Sequence, residues 1–187
     1  MNGEVRKIYT RRGDRGETQL LSGETVKKDD LRVRTYGSLD ELQSHLGMVF
    51  VLTRDERVRS ICFHIQDDIF AASSELASTP GGLSRLARRI GKKDVDKLES
   101  WIDELTALYG LPSRFVILIR SQGSAALNMA RTVCRRSERL IVTLDRQASV
   151  YGELIMYFNR LSDLLFVMAW SLEVKAVVQT AISELVE

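Results

Sequence analysis

The chain has 187 residues, 44% of them hydrophobic and 28% charged, with a formal net charge of +2. That length supports one domain with a real core, and the near-neutral balance argues against intrinsic disorder and against a general nucleic-acid binder. Cys62 and Cys134 are the two cysteines, Met-Asn-Gly-Glu-Val-Arg-Lys opens without an apolar stretch, and no apolar run exceeds 164–170; these argue against a disulfide scaffold, a signal peptide and a membrane span, so the cytoplasm is the expected setting.

The first 30 residues carry Gly13, Gly16 and Gly23 amid alternating charge and no helical stripe, which predicts an ordered loop or short hairpin. Within them, Thr10-Arg-Arg-Gly-Asp-Arg-Gly-Glu-Thr18 sets two glycines around Asp14 and supplies Arg11, Arg12, Arg15 and two threonine hydroxyls as donors. Such a turn can aim backbone N–H groups at a phosphate, and an ordinary polar turn has the same composition. It matches neither the P-loop nor the dinucleotide fingerprint.

Ser38-Leu-Asp-Glu41 reads as a capping box followed by Leu39, Leu42, Leu46 and Val49, so a helix is expected over about 38–52. Val58, Ile61, Ile65, Ile69, Ala72 and Leu76 form the stripe of a second helix ending before Ser78-Thr-Pro-Gly-Gly82. A third, opened by Asp94 as N-cap and closed near Gly110, carries Val95, Leu98, Ile102 and Leu105. The fourth spans 123–142 with Ala126, Ala130, Val133, Cys134, Ser137 and Ile141 on one side, and the fifth has Leu154, Phe158, Leu161, Leu165, Met168 and Leu172. The residues from Ala176 read as a short final helix or a frayed end. The expectation is an all-α, five-helix bundle forming one domain over 1–187: a loop segment 1–37, a bundle 38–175 and a tail 176–187.

Arginine outnumbers lysine 20 to 7, and residues 114–146 hold seven arginines against Glu138 and Asp145. Arginine suits planar, bidentate contact with phosphate, so a polyanion is the obvious guest, although a solvated face would have the same composition. At about 100° per residue, Arg131, Arg135, Glu138 and Asn128 share one stripe within roughly 80° on the border of the apolar face, where partial burial is expected. An ion-pair ladder between helices gives the same pattern as a phosphate site. His45 and His64 lack partners at metal-ligand spacing, Glu-x-x-His is absent, and both cysteines fall near core stripes. An enzyme with this inventory carries its nucleophile on a substrate or cofactor.

Ile8-Tyr-Thr-Arg-Arg-Gly-Asp-Arg-Gly-Glu-Thr18, Lys28-Asp-Asp, Arg32-Val, Tyr36-Gly, Leu39-Asp-Glu41, Ala130-Arg-Thr-Val-Cys-Arg-Arg-Ser-Glu-Arg139 and Phe158-Asn-Arg-Leu-Ser-Asp163 together resemble the PduO-type ATP:cob(I)alamin adenosyltransferases over roughly 7–172. The resemblance implies a homotrimer with an active site at each subunit interface, transferring the 5′-deoxyadenosyl group of ATP to cob(I)alamin. It implies that Thr10, Arg11, Arg12, Gly13, Asp14, Gly16, Thr18, Gln19 and Lys28 hold the triphosphate, completed by Arg135, Arg136, Glu138, Arg139 and Asn159. Magnesium would bridge the phosphates, with Glu138 as the one candidate protein ligand. Asp40 and Arg131 match an intersubunit salt bridge and Phe115 the aromatic beneath the corrin, so the implied catalytic set is Arg131, Arg135, Asp40 and Phe115. Implied partners are a flavin-type reductase and an adenosylcobalamin-dependent client, with no nucleic acid and no membrane. The alternative on the same fold is a non-catalytic ATP and corrinoid sensor or delivery protein. It is motivated by Leu118, Ile119 and Arg120, which stand where the family has Pro and two small residues. Asn128 replaces a usual histidine, Leu31 a proline and Thr25 an arginine.

Overall fold

Residues 8, 9 and 11–186 are described by the computed structural model, and the regular structure among them is one small hairpin followed by helices. The hairpin pairs β1 (Glu17–Gln19) antiparallel to β2 (Thr25–Lys27), with Thr18 opposite Val26. It docks on the end of the second helix through the Leu21 N–H, which donates to the Ala77 carbonyl at 2.8 Å. The expectation of an ordered loop or short hairpin is met by this element.

Five α-helices follow: α1 (Leu31–Leu52), α2 (Glu56–Leu76), α3 (Lys92–Tyr109), α4 (Gln122–Ala148) and α5 (Gly152–Val186), with a 3-10 turn at Pro80–Arg85. Four boundaries differ from the sequence reading, one of them the end of α4, which continues six residues past 142 to Ala148. Helix α1 starts seven residues before Ser38, because the Asp30 carboxylate accepts the Arg32 N–H at 2.8 Å and caps it there. Ser38 is no cap; it lies buried inside the helix, 2.9 Å from the Ser137 hydroxyl of α4. Likewise Asp94 sits one turn inside α3, where its carboxylate accepts the N–H of Gly91, the true cap residue, at 2.9 Å. The segment from Ala176 is no separate helix, since α5 continues unbroken to Val186, with every described side chain from Val177 onward exposed.

Helix α5 packs against α3 and α4, and α1 packs against α2 and α4. Leu39, Leu46, Ile61, Ile65, Leu98, Phe158, Leu161, Leu165 and Met168 are fully buried at these contacts, as their stripes require. Trp101 takes the core position in α3, while Ile102 lies at its edge. Buried Arg32 joins three elements by donating to the carbonyls of Leu76 and Ser78 (3.0 and 2.7 Å) and to the Tyr151 hydroxyl (2.6 Å). All three contacts come from one terminal nitrogen with two hydrogens, so losing that guanidinium would leave at least two buried acceptors unpaired, at a cost of about 1–3 kcal/mol each. No helix among the described residues is long and apolar enough to cross a membrane.

Candidate functional site

Three cavities hold most of the residues singled out above. The first, about 610 Å³, is lined by Arg12, Gly13, Glu17, Thr18, Gln19, Thr25 and Lys28. Its rim is a turn in which Arg11 adopts φ 60°, a left-handed conformation costly for a side chain with a Cβ. The Asp14 and Gly16 N–H groups donate to the carbonyls of Arg11 and Gly13 (3.4 and 3.2 Å), and the Lys28 N–H donates to Gly16 at 2.8 Å. Those two turn amides therefore serve the chain's own carbonyls, unlike the inward-facing N–H groups expected. A Cβ at Gly13 would lie 2.8 Å from the Lys28 ammonium, so the end of the Lys28 side chain packs directly against the turn and would have to shift if a side chain were added there. Arg11, Asp14 and Gly16 shape the turn without lining the cavity, and Thr10 lies outside the described residues.

The second cavity, about 420 Å³, lies on α4 and is lined by Arg135, Glu138, Arg139, Val142, Thr143, Arg146 and Asn159. Glu138 accepts from the Asn159 amide at 3.1 Å, and Asn159 in turn accepts from Arg160 at 2.7 Å. Arg135 and Arg139 make no ion pair among the described residues, whereas Arg136 turns toward α1 and pairs with Glu41. Arg136 therefore stands apart from the row it was expected to join. Arg146, seven residues beyond Arg139 and so on the same face, is an addition that the spacing could have supplied. Partial burial holds for Asn128, Arg131 and Glu138, while Arg135, although it lies between Arg131 and Asn128 in angle, is exposed.

The third cavity, about 390 Å³, brings Arg131 and Asn128 beside Phe115, with Leu111, Pro112, Arg114, Val116, Ile117, Leu118 and Phe166. Phe115 is 94% exposed, which excludes an ordinary core role for it. Arg131 donates to Asn128 at 3.0 Å and makes no contact with Asp40, which is exposed on α1. Phe166 was not singled out from sequence, because its α5 position is indistinguishable from the core stripe. Leu118 is buried, and Ile117 and Ile119 are exposed on either side of it.

Cys62, Cys134 and His64 sit in structural surroundings. Burial pushes the Cys62 thiol up to about 12 and the Cys134 thiol well above its ordinary value, so neither offers a thiolate at neutral pH. His64 packs edge-on to Trp101 at 5.1 Å and lies 3.7 Å from the Asp68 carboxylate. Among the described residues no group of three His, Cys, Asp or Glu is placed to hold a metal ion. Glu138 is the one carboxylate in the α4 cavity, which fits a divalent ion held mainly by a ligand's own oxygens.

The family model for cobalamin adenosyltransferase matches residues 8–172. A corrinoid adenosyltransferase from Citrobacter freundii is 44% identical over 163 residues, 87% of this chain and 93% of that protein. The corrinoid adenosyltransferase PduO of Salmonella typhimurium is 38% identical over 162 residues, and this chain spans about half (48%) of its length. A variant of the PduO-type ATP:corrinoid adenosyltransferase from Lactobacillus reuteri, solved with cobalamin and ATP, has a TM-score of 0.81 at 32% identity, covering 88% of this chain and 90% of that one.

Proposed function

The chain belongs to the cobalamin adenosyltransferase family and is a corrinoid adenosyltransferase, and we propose that it transfers the 5′-deoxyadenosyl group of ATP to cob(I)alamin at sites shared between neighbouring subunits of a cytoplasmic homotrimer. One observation carries the shared site: the cationic turn and the α4 row line separate open cavities with no residue in common. A single triphosphate meets both when two copies abut. The turn of one subunit, with Arg12, Gly13, Thr18, Gln19 and Lys28, then faces Arg135, Glu138, Arg139 and Asn159 of the next. Across the same seam, exposed Asp40 reaches Arg131, and Phe115 lies against the corrin.

In this arrangement the cob(I)alamin electron pair attacks the ribose 5′-carbon. The cobalt–carbon bond forms as the carbon–oxygen bond breaks, and triphosphate departs with the bonding pair. No proton moves, so no general base is required, consistent with buried thiols and structurally engaged His64. The protein's work is orientation, which can supply about 7–11 kcal/mol, and stabilisation of charge on the leaving group, at about 2.7–4 kcal/mol per well-placed donor. Magnesium, when bound, supplies neutralisation of the triphosphate, and the second Glu138 oxygen would be its protein contact. A flavin-type reductase would deliver the electron, and an adenosylcobalamin-dependent enzyme would take the product. Incubation with ATP, Mg²⁺ and chemically reduced cobalamin is expected to give adenosylcobalamin and one triphosphate per turnover. Tight binding of both substrates without turnover would contradict this and support the sensor or delivery alternative.

A further inference from the structure

The segment joining α3 to α4, residues 110–121, contains no helix or strand, and after Pro112 it contains no proline to restrict it. It nonetheless holds Phe115 94% exposed, three residues from Leu118, which is buried in the core. An aromatic ring so exposed is not packed into place by its own contacts, so its position must come from the backbone around it. Helix α5 holds that backbone at both ends. The Trp170 indole N–H donates to the Tyr109 carbonyl at 3.3 Å, where α3 ends, and the Glu173 carboxylate accepts the Arg120 N–H at 2.8 Å, where α4 is about to begin. Residues 170 and 173 are three apart and share one helix face.

Glu173 is an unusual residue to find there. It is 4% exposed, yet among the described residues it forms no ion pair; its partners are the Arg120 amide and the Ser124 hydroxyl, both neutral. A carboxylate taken out of water without a cation costs more than an apolar side chain of similar size would. Helix capping does not account for it, because Ser121 already accepts the Ser124 N–H at 3.0 Å. Close approach is built in as well, since a Cβ at Gly123 would lie 2.9 Å from the Leu172 side chain, so the first turn of α4 presses directly on α5 beside Glu173.

We propose that Trp170 and Glu173 are positioning residues that clamp both ends of the 110–121 segment and thereby set where Phe115 meets the corrinoid. The inference rests on the reading that the Phe115 cavity takes that substrate. Steady-state kinetics with cobalamin and ATP varied separately, together with thermal unfolding, test it on the full chain. Glu173→Ala should raise the KM for the corrinoid about tenfold, the scale of one lost hydrogen bond, and leave the KM for ATP within about twofold. Glu173→Gln, whose amide oxygen accepts the same N–H, should restore the wild-type value. Trp170→Phe, which keeps a ring and loses the donor, should raise the corrinoid KM severalfold, and it decides the matter if Glu173→Ala fails to fold. Unchanged corrinoid KM in Trp170→Phe and Glu173→Ala, or equal rises for both substrates, would overturn the clamp. A wild type that makes no adenosylcobalamin would instead overturn the activity on which the clamp depends.

Discussion

Arg135 and Arg136 are adjacent and chemically identical, yet they face different surroundings: one lines the α4 cavity without an ion-pair partner among the described residues, the other is paired with Glu41 on α1. Their substitutions should therefore separate. Arg135→Ala should lower kcat by about 10²–10³-fold with unfolding unchanged, as expected when charge on a leaving group loses a donor. Arg136→Ala should cost no more than about 1 kcal/mol of stability, the worth of an exposed pair, and retain most of the turnover. Phe115→Ala gives a second separation. A buried phenylalanine would cost about 3–5 kcal/mol on truncation, whereas this 94% exposed ring should leave the melting temperature in place. Reactions started from Co(II) should suffer more than those started from Co(I), because an apolar ring against the corrin keeps water from the cobalt; equal losses would remove that role. At this scale the grouping of Arg135 with Glu138 was legible from helical angles alone, but Asn128 and Arg131 of the same stripe line a different cavity. The Arg136 partner was not legible, because it depends on how α1 meets α4, and Glu173 was hidden because a lone acidic residue just past the last apolar position of a stripe ordinarily faces solvent.

Helix ends show the same division between local and distant causes. Stripes of buried leucine and isoleucine were readable throughout, but the start of α1 was misplaced because Ser38-Leu-Asp-Glu41 has the composition of a capping box, while Asp30 was passed over as a cap. Asp55 illustrates what a cap can add once tertiary contacts form. It accepts the Val58 N–H at 3.0 Å at the start of α2 and is ion-paired with Lys175 of α5. Burial works against its charge, but the Lys175 ammonium and the Val58 amide outweigh it and hold the carboxyl below its usual range. A carboxyl lowered on folding contributes stability that is complete above its unfolded pKa, about 3.9, and is lost as pH falls through the lower folded value. Denaturant unfolding between pH 2 and 6 should therefore show wild type more stable than Asp55→Asn near pH 6, with the gap closing at the acid end. A constant gap would mean that hydrogen bonding alone, without charge, accounts for the cap.

For the molecule as a whole, five helices and a leading hairpin were readable because each stripe buries its own face. Assembly leaves no such periodic mark: the residues that would meet across a seam, Asp40 and Arg131 among them, are unpaired with each other within one chain. The motif resemblance supplied that expectation, and the separation of the two cationic cavities supports it. The most direct test combines two inactive proteins, Lys28→Ala in the turn and Arg135→Ala in the helix row, co-expressed with different tags and purified on both. In a cyclic trimer every mixed assembly holds one interface with an intact turn facing an intact row, so activity should return to about a third of wild type. Mixed assemblies no more active than either parent would place the whole site within one chain and contradict the account.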